Sequence, residues 1–125
     1  MIQKRKLEDY MKVIYMLLRD KGIARGADIA NYFGVTKPTV SATLKELTTD
    51  GYIGKLPDHS VVLTKKGLEI AERMTERHNG IYNMLIRLGV DENTASEDAC
   101  KMEHVMSKES FTALLRLTEK NGKIA

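Results

Sequence analysis

The chain has few of the residues that would indicate an extracellular or membrane protein. Its 125 residues include one cysteine, two prolines and no tryptophan. A single cysteine cannot form an internal disulfide, so Cys100 is a core thiol, a reactive thiol or a metal ligand. The longest apolar runs are only a few residues, too short to span a bilayer, and no signal-peptide core follows the first residues. We therefore expect a cytoplasmic protein without a membrane partner.

The charge is modest but unevenly distributed. The apolar fraction of 42% and the charged fraction of 30% are typical of a soluble globular protein. Residues 1–77 carry 14 Lys and Arg against 10 Asp and Glu, whereas residues 78–125 carry 6 against 7. The excess of positive charge in the first half favours DNA binding there, and the nearly neutral second half favours assembly of subunits, although an excess of four charges alone is a weak indication.

The first half has the periodicity and caps of a helix-turn-helix. A first amphipathic helix ends at Gly22, and a short second helix over residues 26–33 ends at Gly34, where a glycine C-cap is favourable. Thr36 is a plausible N-cap and Pro38 lies in the first turn of the next helix, which closes at residues 50–51. Two helices joined by so short a turn are typical of DNA-binding proteins.

A wing and three further helices are predicted after the helix-turn-helix. Residues 52–56 and 60–63 are strand-like, and the Pro-Asp-His sequence between them favours a turn. Helices are then predicted from Thr64 to Gly89, from Asp91 to Met106 and from Ser107 onward. The predicted fold is mainly α: a winged helix-turn-helix with a two-stranded β wing in residues 1–70, then an all-helical metal-binding and dimerisation domain in residues 71–125.

Cys100, Glu103 and His104 form the pattern most indicative of function. Their i, i+3, i+4 spacing stacks them on one face of an α-helix. Thiolate, carboxylate and imidazole together offer ligand atoms suited to a divalent transition metal. Such triples also occur by chance, and the ordinary alternative is a buried thiol beside two surface residues.

The residues around this triple resemble a known family. Residues 97–107, EDACKMEHVMS, resemble the metal-binding helix of the diphtheria toxin repressor family, which includes iron-dependent regulators and manganese transport regulators. Residues 36–51 are similar to the family's recognition helix, and residues 63–67 are similar to the segment that follows its wing. Members are homodimers whose metal-loaded form binds a palindromic operator and blocks transcription. The resemblance therefore implies a metal-dependent repressor that binds double-stranded DNA as a homodimer, and not an enzyme.

The resemblance also implies a ligand set. Primary-site ligands would be Cys100, Glu103 and His104, with Asp9 from the N-terminal helix, and His78 matches an ancillary ligand. Asp at position 9 is like the manganese regulators, whereas Cys at position 100 is like the iron-dependent ones. We therefore expect Fe²⁺ or Mn²⁺ as the activating metal, with Zn²⁺ and Co²⁺ able to substitute in vitro.

Other positions depart from the family pattern. Lys12 stands where manganese regulators carry a second N-terminal carboxylate, and it repels cations. Tyr82 and Ser96 stand where the iron-dependent type has Glu and His, so the ligand pattern of that type's second metal site is incomplete here. Because the sequence given ends at Ala125, we expect the short form of the family, without an SH3-like third domain.

The DNA-contacting residues are predicted at the start of the recognition helix. There small hydroxyls reach phosphates, and Pro or Thr carbons touch thymine methyl groups. Simple capping of the helix is the ordinary alternative. Lysines of the wing region, Lys55, Lys65 and Lys66, would extend the phosphate contact. The predicted contact residues are Thr36, Lys37, Pro38, Thr39, Ser41 and Lys45.

Two other classes of function stay open at this point. One is a winged-helix regulator gated by a small organic ligand, or by redox chemistry at Cys100. The other is a metal-binding enzyme, since a metal site of this kind can activate water. The sequence contains no Gly-rich phosphate loop or nucleophile elbow, which favours a regulator over an enzyme.

Overall fold

A computed structural model describes residues 2–120 and contains the predicted winged helix followed by helices. Within these residues no helix is long and apolar enough to cross a membrane. The chain divides into two compact units between Glu72 and Arg73, inside the fourth helix and two residues beyond the boundary expected from the sequence. The elements are α1 Lys4–Lys21, α2 Gly26–Phe33, α3 Lys37–Thr49, β1 Ile53–Lys55, β2 Val61–Leu63, α4 Lys65–Arg87, α5 Glu92–Met102 and α6 Lys108–Lys120.

The first unit is built around the apolar face of α1. Met11 and Ile14 are fully buried, while Leu7 and Leu18 on the same face are half-buried. The helix ends at Gly22, whose left-handed φ of 75° lets its N–H donate to the Leu18 carbonyl. The core residues contributed by the other elements of this unit are Ala24, Ile29, Ala30, Val40, Leu44, Leu47, Ile53, Val61 and Ala71.

The helix-turn-helix has the caps predicted for it. Gly34 closes α2 with a left-handed φ of 67°. Thr36 caps α3, because its side-chain oxygen accepts a hydrogen bond from the Thr39 N–H at 3.3 Å. Phe33 is half-buried, and its ring stacks on that of Tyr10 with centroids 4.8 Å apart. The turn therefore leaves the start of α3 exposed while holding its apolar face inside.

The wing is a short antiparallel hairpin. Ile53 pairs with Leu63 and Lys55 with Val61, so both strands are shorter than predicted. In the turn between them Asp58 Oδ1 accepts hydrogen bonds from the Ser60 hydroxyl at 2.6 Å and from its N–H at 3.0 Å. These bonds hold the pKa of the Asp58 carboxyl below its usual value. Beyond the paired residues, the Leu56 N–H donates to the Ser60 carbonyl at 2.8 Å, and the His59 N–H donates to the Leu56 carbonyl at 2.9 Å, which closes the turn.

The wing and the start of α4 are joined through Thr64 and Gly67. The Thr64 hydroxyl donates to the Gly51 carbonyl at 2.7 Å and accepts from the Gly67 N–H at 3.3 Å. A Cβ at Gly67 would overlap the Tyr52 carbonyl oxygen and lie 3.1 Å from the Met11 sulfur. Only glycine allows α4 to begin this close to the wing.

The second unit packs the later part of α4 with α5 and α6. Ile81, Ala99 and Phe111 are its buried apolar centre. A Cβ at Gly80 would lie 2.9 Å from the Phe111 ring, so the absence of a side chain there allows α4 and α6 to approach closely. Asp91 caps α5 by accepting from the Thr94 N–H at 3.2 Å.

The prediction of one helix from Asp91 to Met106 is wrong at its end, because α5 stops at Met102. The N–H groups of Val105 and Met106 both bond to the Met102 carbonyl, which closes a turn. Ser107 then caps α6 by accepting from the Ser110 N–H at 3.0 Å. Glu103 and His104 therefore lie in the turn between α5 and α6.

We expect Gly67→Ala to lower the free energy of unfolding by about 1–3 kcal/mol, because the added methyl group forces the wing and α4 apart. Thermal or urea unfolding followed by circular dichroism measures this. Gly26→Ala is the matched control, since its Cβ would meet only the Leu44 side chain at 3.9 Å. Equal stability of the two variants would show that the close approach at Gly67 carries no constraint.

Candidate metal centre and DNA-binding face

Three side chains of the second unit bring ligand atoms together. His78 comes from α4, Cys100 from α5, and Glu103 from the C-cap of α5. His78 Nδ1 lies 3.1 Å from Glu103 Oε1 and 3.8 Å from the Cys100 sulfur. One ligand atom from each residue lies within 4.8 Å of the others. The two helices thus contribute an imidazole, a thiol and a carboxylate to one point.

The donor set and its geometry fit a divalent transition metal. In zinc sites the ion lies about 2.0–2.3 Å from each ligand atom, so two ligands of one ion are roughly 3–4.5 Å apart. The distances from His78 to its two partners fall within this range. Glu103 has no exposed surface, and the His78 side chain is 22% exposed. A buried carboxylate beside an imidazole and a thiol is a favourable place for a cation.

Two neighbouring side chains, Tyr82 and Arg77, lie beside His78 and the turn that bears Glu103. The Tyr82 ring lies nearly parallel to the His78 imidazole, with an interplanar angle of 10° and centroids 6.2 Å apart. Arg77 Nη1 donates to two backbone carbonyls of the turn, that of Glu103 at 3.3 Å and that of Met106 at 2.9 Å. Sequence reasoning did not identify this role of Arg77, because the pairing joins residues 26 and 29 positions apart.

The structure brings together part of the predicted ligand set. Cys100 and Glu103 meet as expected, and the third member of the group is His78. His104 is half-buried in the turn after α5 and does not belong to this group of described residues. Asp9 is half-buried on α1, in the first unit. The ligand roles of all five residues stay predictions.

The predicted DNA-contacting residues lie on the exposed side of α3. Its opposite side carries the buried Val40, Leu44 and Leu47. The hydroxyls of Thr36 and Thr39 are 2.8 Å apart and share a hydrogen bond, so both take part in capping. The exposed residues of this face are Thr36, Lys37, Pro38, Thr39, Ser41 and Lys45.

Lys66 has an intramolecular role that the sequence did not indicate. Its Nζ donates to the Asp50 carbonyl at 3.0 Å and lies 4.2 Å from the centre of the Tyr52 ring. This places a positive charge at the C-terminal end of α3, where it is favourable. The phosphate contact expected of Lys66 would therefore compete with a capping bond.

Both halves of the chain match families of known proteins. Residues 4–61 match the family described as "Iron dependent repressor, N-terminal DNA binding domain", and residues 64–122 match "Iron dependent repressor, metal binding and dimerisation domain". The chain is 40% identical over 116 residues to the transcriptional regulator MntR of Escherichia coli, covering 93% of this chain and 75% of that protein.

Two solved structures show the same fold. The crystal structure of T. acidophilum IdeR has a TM-score of 0.80 and 27% identity, covering 98% of this chain and 55% of that one. The structure of the manganese regulator SloR has a TM-score of 0.77 and 30% identity, covering 90% of this chain and 53% of that one. The chain thus spans about half the length of these solved relatives.

Fold and matches together define a winged-helix DNA-binding protein with a metal-binding second domain. The chain belongs to the diphtheria toxin repressor family of metal-dependent transcriptional repressors, as its sequence resemblance predicted.

The role of Cys100 can be tested with Co²⁺, which binds such sites and reports thiolate coordination through a near-ultraviolet charge-transfer band. We expect the wild type to show the band and Cys100→Ser to lose it. Cys100 is the only cysteine of the sequence, so the assignment is unambiguous. Binding of Co²⁺ to both proteins without the band in either would contradict thiolate ligation.

Proposed function

We propose that this protein is a homodimeric repressor of transcription that binds palindromic operator DNA when Fe²⁺ or Mn²⁺ occupies the site at Cys100, Glu103 and His78. The convergence of these three side chains carries the proposal. The exposed polar face of α3 supports its DNA-binding half. Its relatives include proteins named as manganese regulators and as transcriptional regulators. Such a regulator acts in the cytoplasm, where the chromosome is.

We assign His104 and Asp9 as further ligands. His104 directly follows Glu103 in the turn, and the family pattern places a ligand at both positions. The thiolate of Cys100 favours Fe²⁺, because Mn²⁺ prefers carboxylate and water oxygens. The carboxylate oxygens of Glu103 and Asp9 are hard ligands, so the same set also suits Mn²⁺. Zn²⁺ and Co²⁺ should bind in vitro, since affinity rises along the Irving–Williams series.

Coupling to DNA binding follows from ligands proposed on both units. A metal held by Asp9 of α1 together with the ligands of the second unit would restrict the orientations that the DNA-binding unit samples. The two α3 helices of a dimer must lie about one DNA turn apart to enter successive major grooves. If bound metal favours this spacing of the two α3 helices by about 1–3 kcal/mol, the affinity for DNA changes enough to regulate transcription.

The surface of α3 supplies the chemistry for reading DNA. Hydroxyls of Thr36, Thr39 and Ser41 reach phosphates, and the ring of Pro38 offers an apolar contact to thymine methyls. Lys37 and Lys45 add charge contacts to the backbone, each of which steepens the dependence of affinity on salt.

Apolar groups of the second unit support self-association. Val105 is 79% exposed, Leu117 50%, Leu88 47% and Ile86 36%. Large apolar side chains exposed to this extent are typical of surfaces that bind another protein. A second copy of the chain is the partner that the matched dimerisation domain indicates.

The test is an anaerobic mobility-shift titration on a duplex selected from a random pool by the Mn²⁺-loaded protein. We expect Fe²⁺ and Mn²⁺ to raise the affinity of the wild type for this duplex at least about 10-fold, within the range of allosteric coupling. His104→Ala and Glu103→Gln should lose this response because each removes a ligand. Lys45→Ala is the control: it should weaken binding at every metal concentration and keep the metal response.

Other outcomes would favour the competing functions. If both ligand variants bind DNA like the wild type, the protein is gated by a small ligand or by the redox state of Cys100, and the proposal fails. Turnover of a substrate by the metal-loaded protein, with no affinity for any selected duplex, would indicate an enzyme.

A further inference from the structure

The turn that bears Glu103 is held by a side chain with no assigned part in the metal centre. Arg77 Nη1 carries two hydrogens, and its two acceptors are the carbonyl oxygens of Glu103 and Met106. These carbonyls bracket the turn between α5 and α6. The Arg77 guanidinium also lies 6.0 Å from the centre of the buried Phe111 ring, so it is seated against the core of the second unit.

The position of Arg77 links it to the ligands on both helices. Arg77 directly precedes His78 on α4, so the same stretch of helix supplies the imidazole and holds the backbone of Glu103. The last carbonyls of an α-helix have no partner within the helix and need external donors. A guanidinium at a helix C-terminus meets this need and is also favoured by the helix dipole. The direction of the Glu103 carboxylate, which lies 3.1 Å from His78, follows from the backbone so held.

We propose that Arg77 is a positioning residue of the metal centre: by bonding the carbonyls of Glu103 and Met106 it fixes the turn so that the Glu103 carboxylate meets His78 and Cys100. Residues behind the ligands of a metal site commonly change metal affinity by about 10–100-fold when removed. The inference rests on the proposed metal site. The site would then depend on Arg77, which bonds to the backbone of the ligand Glu103 and does not itself bind metal.

The test uses Co²⁺ as the probe, with the full chain and a titration followed by visible absorption. We expect Arg77→Met to raise the Kd for Co²⁺ at least about 10-fold. Arg77→Lys keeps the positive charge and hydrogen-bond donors but loses the planar guanidinium, so its Kd should lie between those of Arg77→Met and the wild type. Arg116→Met, which removes an exposed cation from α6, is the matched control and should leave the Kd unchanged. Circular dichroism of the metal-free proteins establishes that each variant is folded.

A double-mutant cycle separates positioning from general stability. If Arg77 acts through Glu103, Arg77→Met should raise the Kd by less than about 3-fold in a Glu103→Gln background, because contacting residues are not additive. If Arg77→Met fails to fold, the same cycle is run with Arg77→Lys.

Three results would contradict either the positioning role of Arg77 or the proposed metal site. A Kd for folded Arg77→Met within twofold of the wild type, or the same loss with and without the Glu103 carboxylate, would refute the positioning role alone. Unchanged Co²⁺ binding in both Cys100→Ser and Glu103→Gln would instead refute the metal site on which the inference rests.

Discussion

The burial of Glu103 beside His78 is the constraint on which the second unit depends. A carboxylate with no exposed surface carries a desolvation cost of several kcal/mol unless its surroundings favour the charge. The turn after α5 nevertheless directs this group toward an imidazole and a thiol, and Arg77 holds the backbone there. A buried carboxylate beside an imidazole and a thiol suits a cation site. The early end of α5 places Glu103 in the turn, beside His78 of α4.

Local sequence signals predicted the first unit well. Glycines with left-handed φ end α1 and α2, and Thr36 with Pro38 begins α3, so each boundary is encoded in residues next to it. The end of α5 was not predictable in this way, because no glycine or proline marks it in the sequence. The turn that follows also accepts a hydrogen bond from Arg77, which lies 26 positions before Glu103. Spacing along one helix pointed to Cys100, Glu103 and His104, whereas His78, on another helix, came only from the family resemblance. The short distances from His78 to Cys100 and Glu103 follow from the packing of α4 against α5, which spacing along the chain does not show.

The mixture of donors explains why the sequence leaves the choice of metal open. Cys100 offers a soft sulfur, Glu103 a hard oxygen, and His78 a nitrogen of intermediate character. Because affinity for such a set follows the Irving–Williams series, the metal bound most tightly in vitro does not identify the one used in the cell. Tyr82, nearly parallel to the His78 ring, occupies the position where the resemblance predicted a departure from a second ligand set. Among the described residues, the three side chains that meet at one point come from α4 and from the C-terminal end of α5.

We infer that metal binding at this site and DNA binding are thermodynamically coupled. If metal favours the DNA-competent form, DNA must favour metal binding by the same factor, because coupling between sites is reciprocal. The most direct measurement is the Kd for Mn²⁺ of the protein alone and in complex with its selected duplex, at one ionic strength. We expect tighter Mn²⁺ binding in the complex, by the same factor by which Mn²⁺ tightens DNA binding. Equal Mn²⁺ affinity with and without the duplex would contradict it.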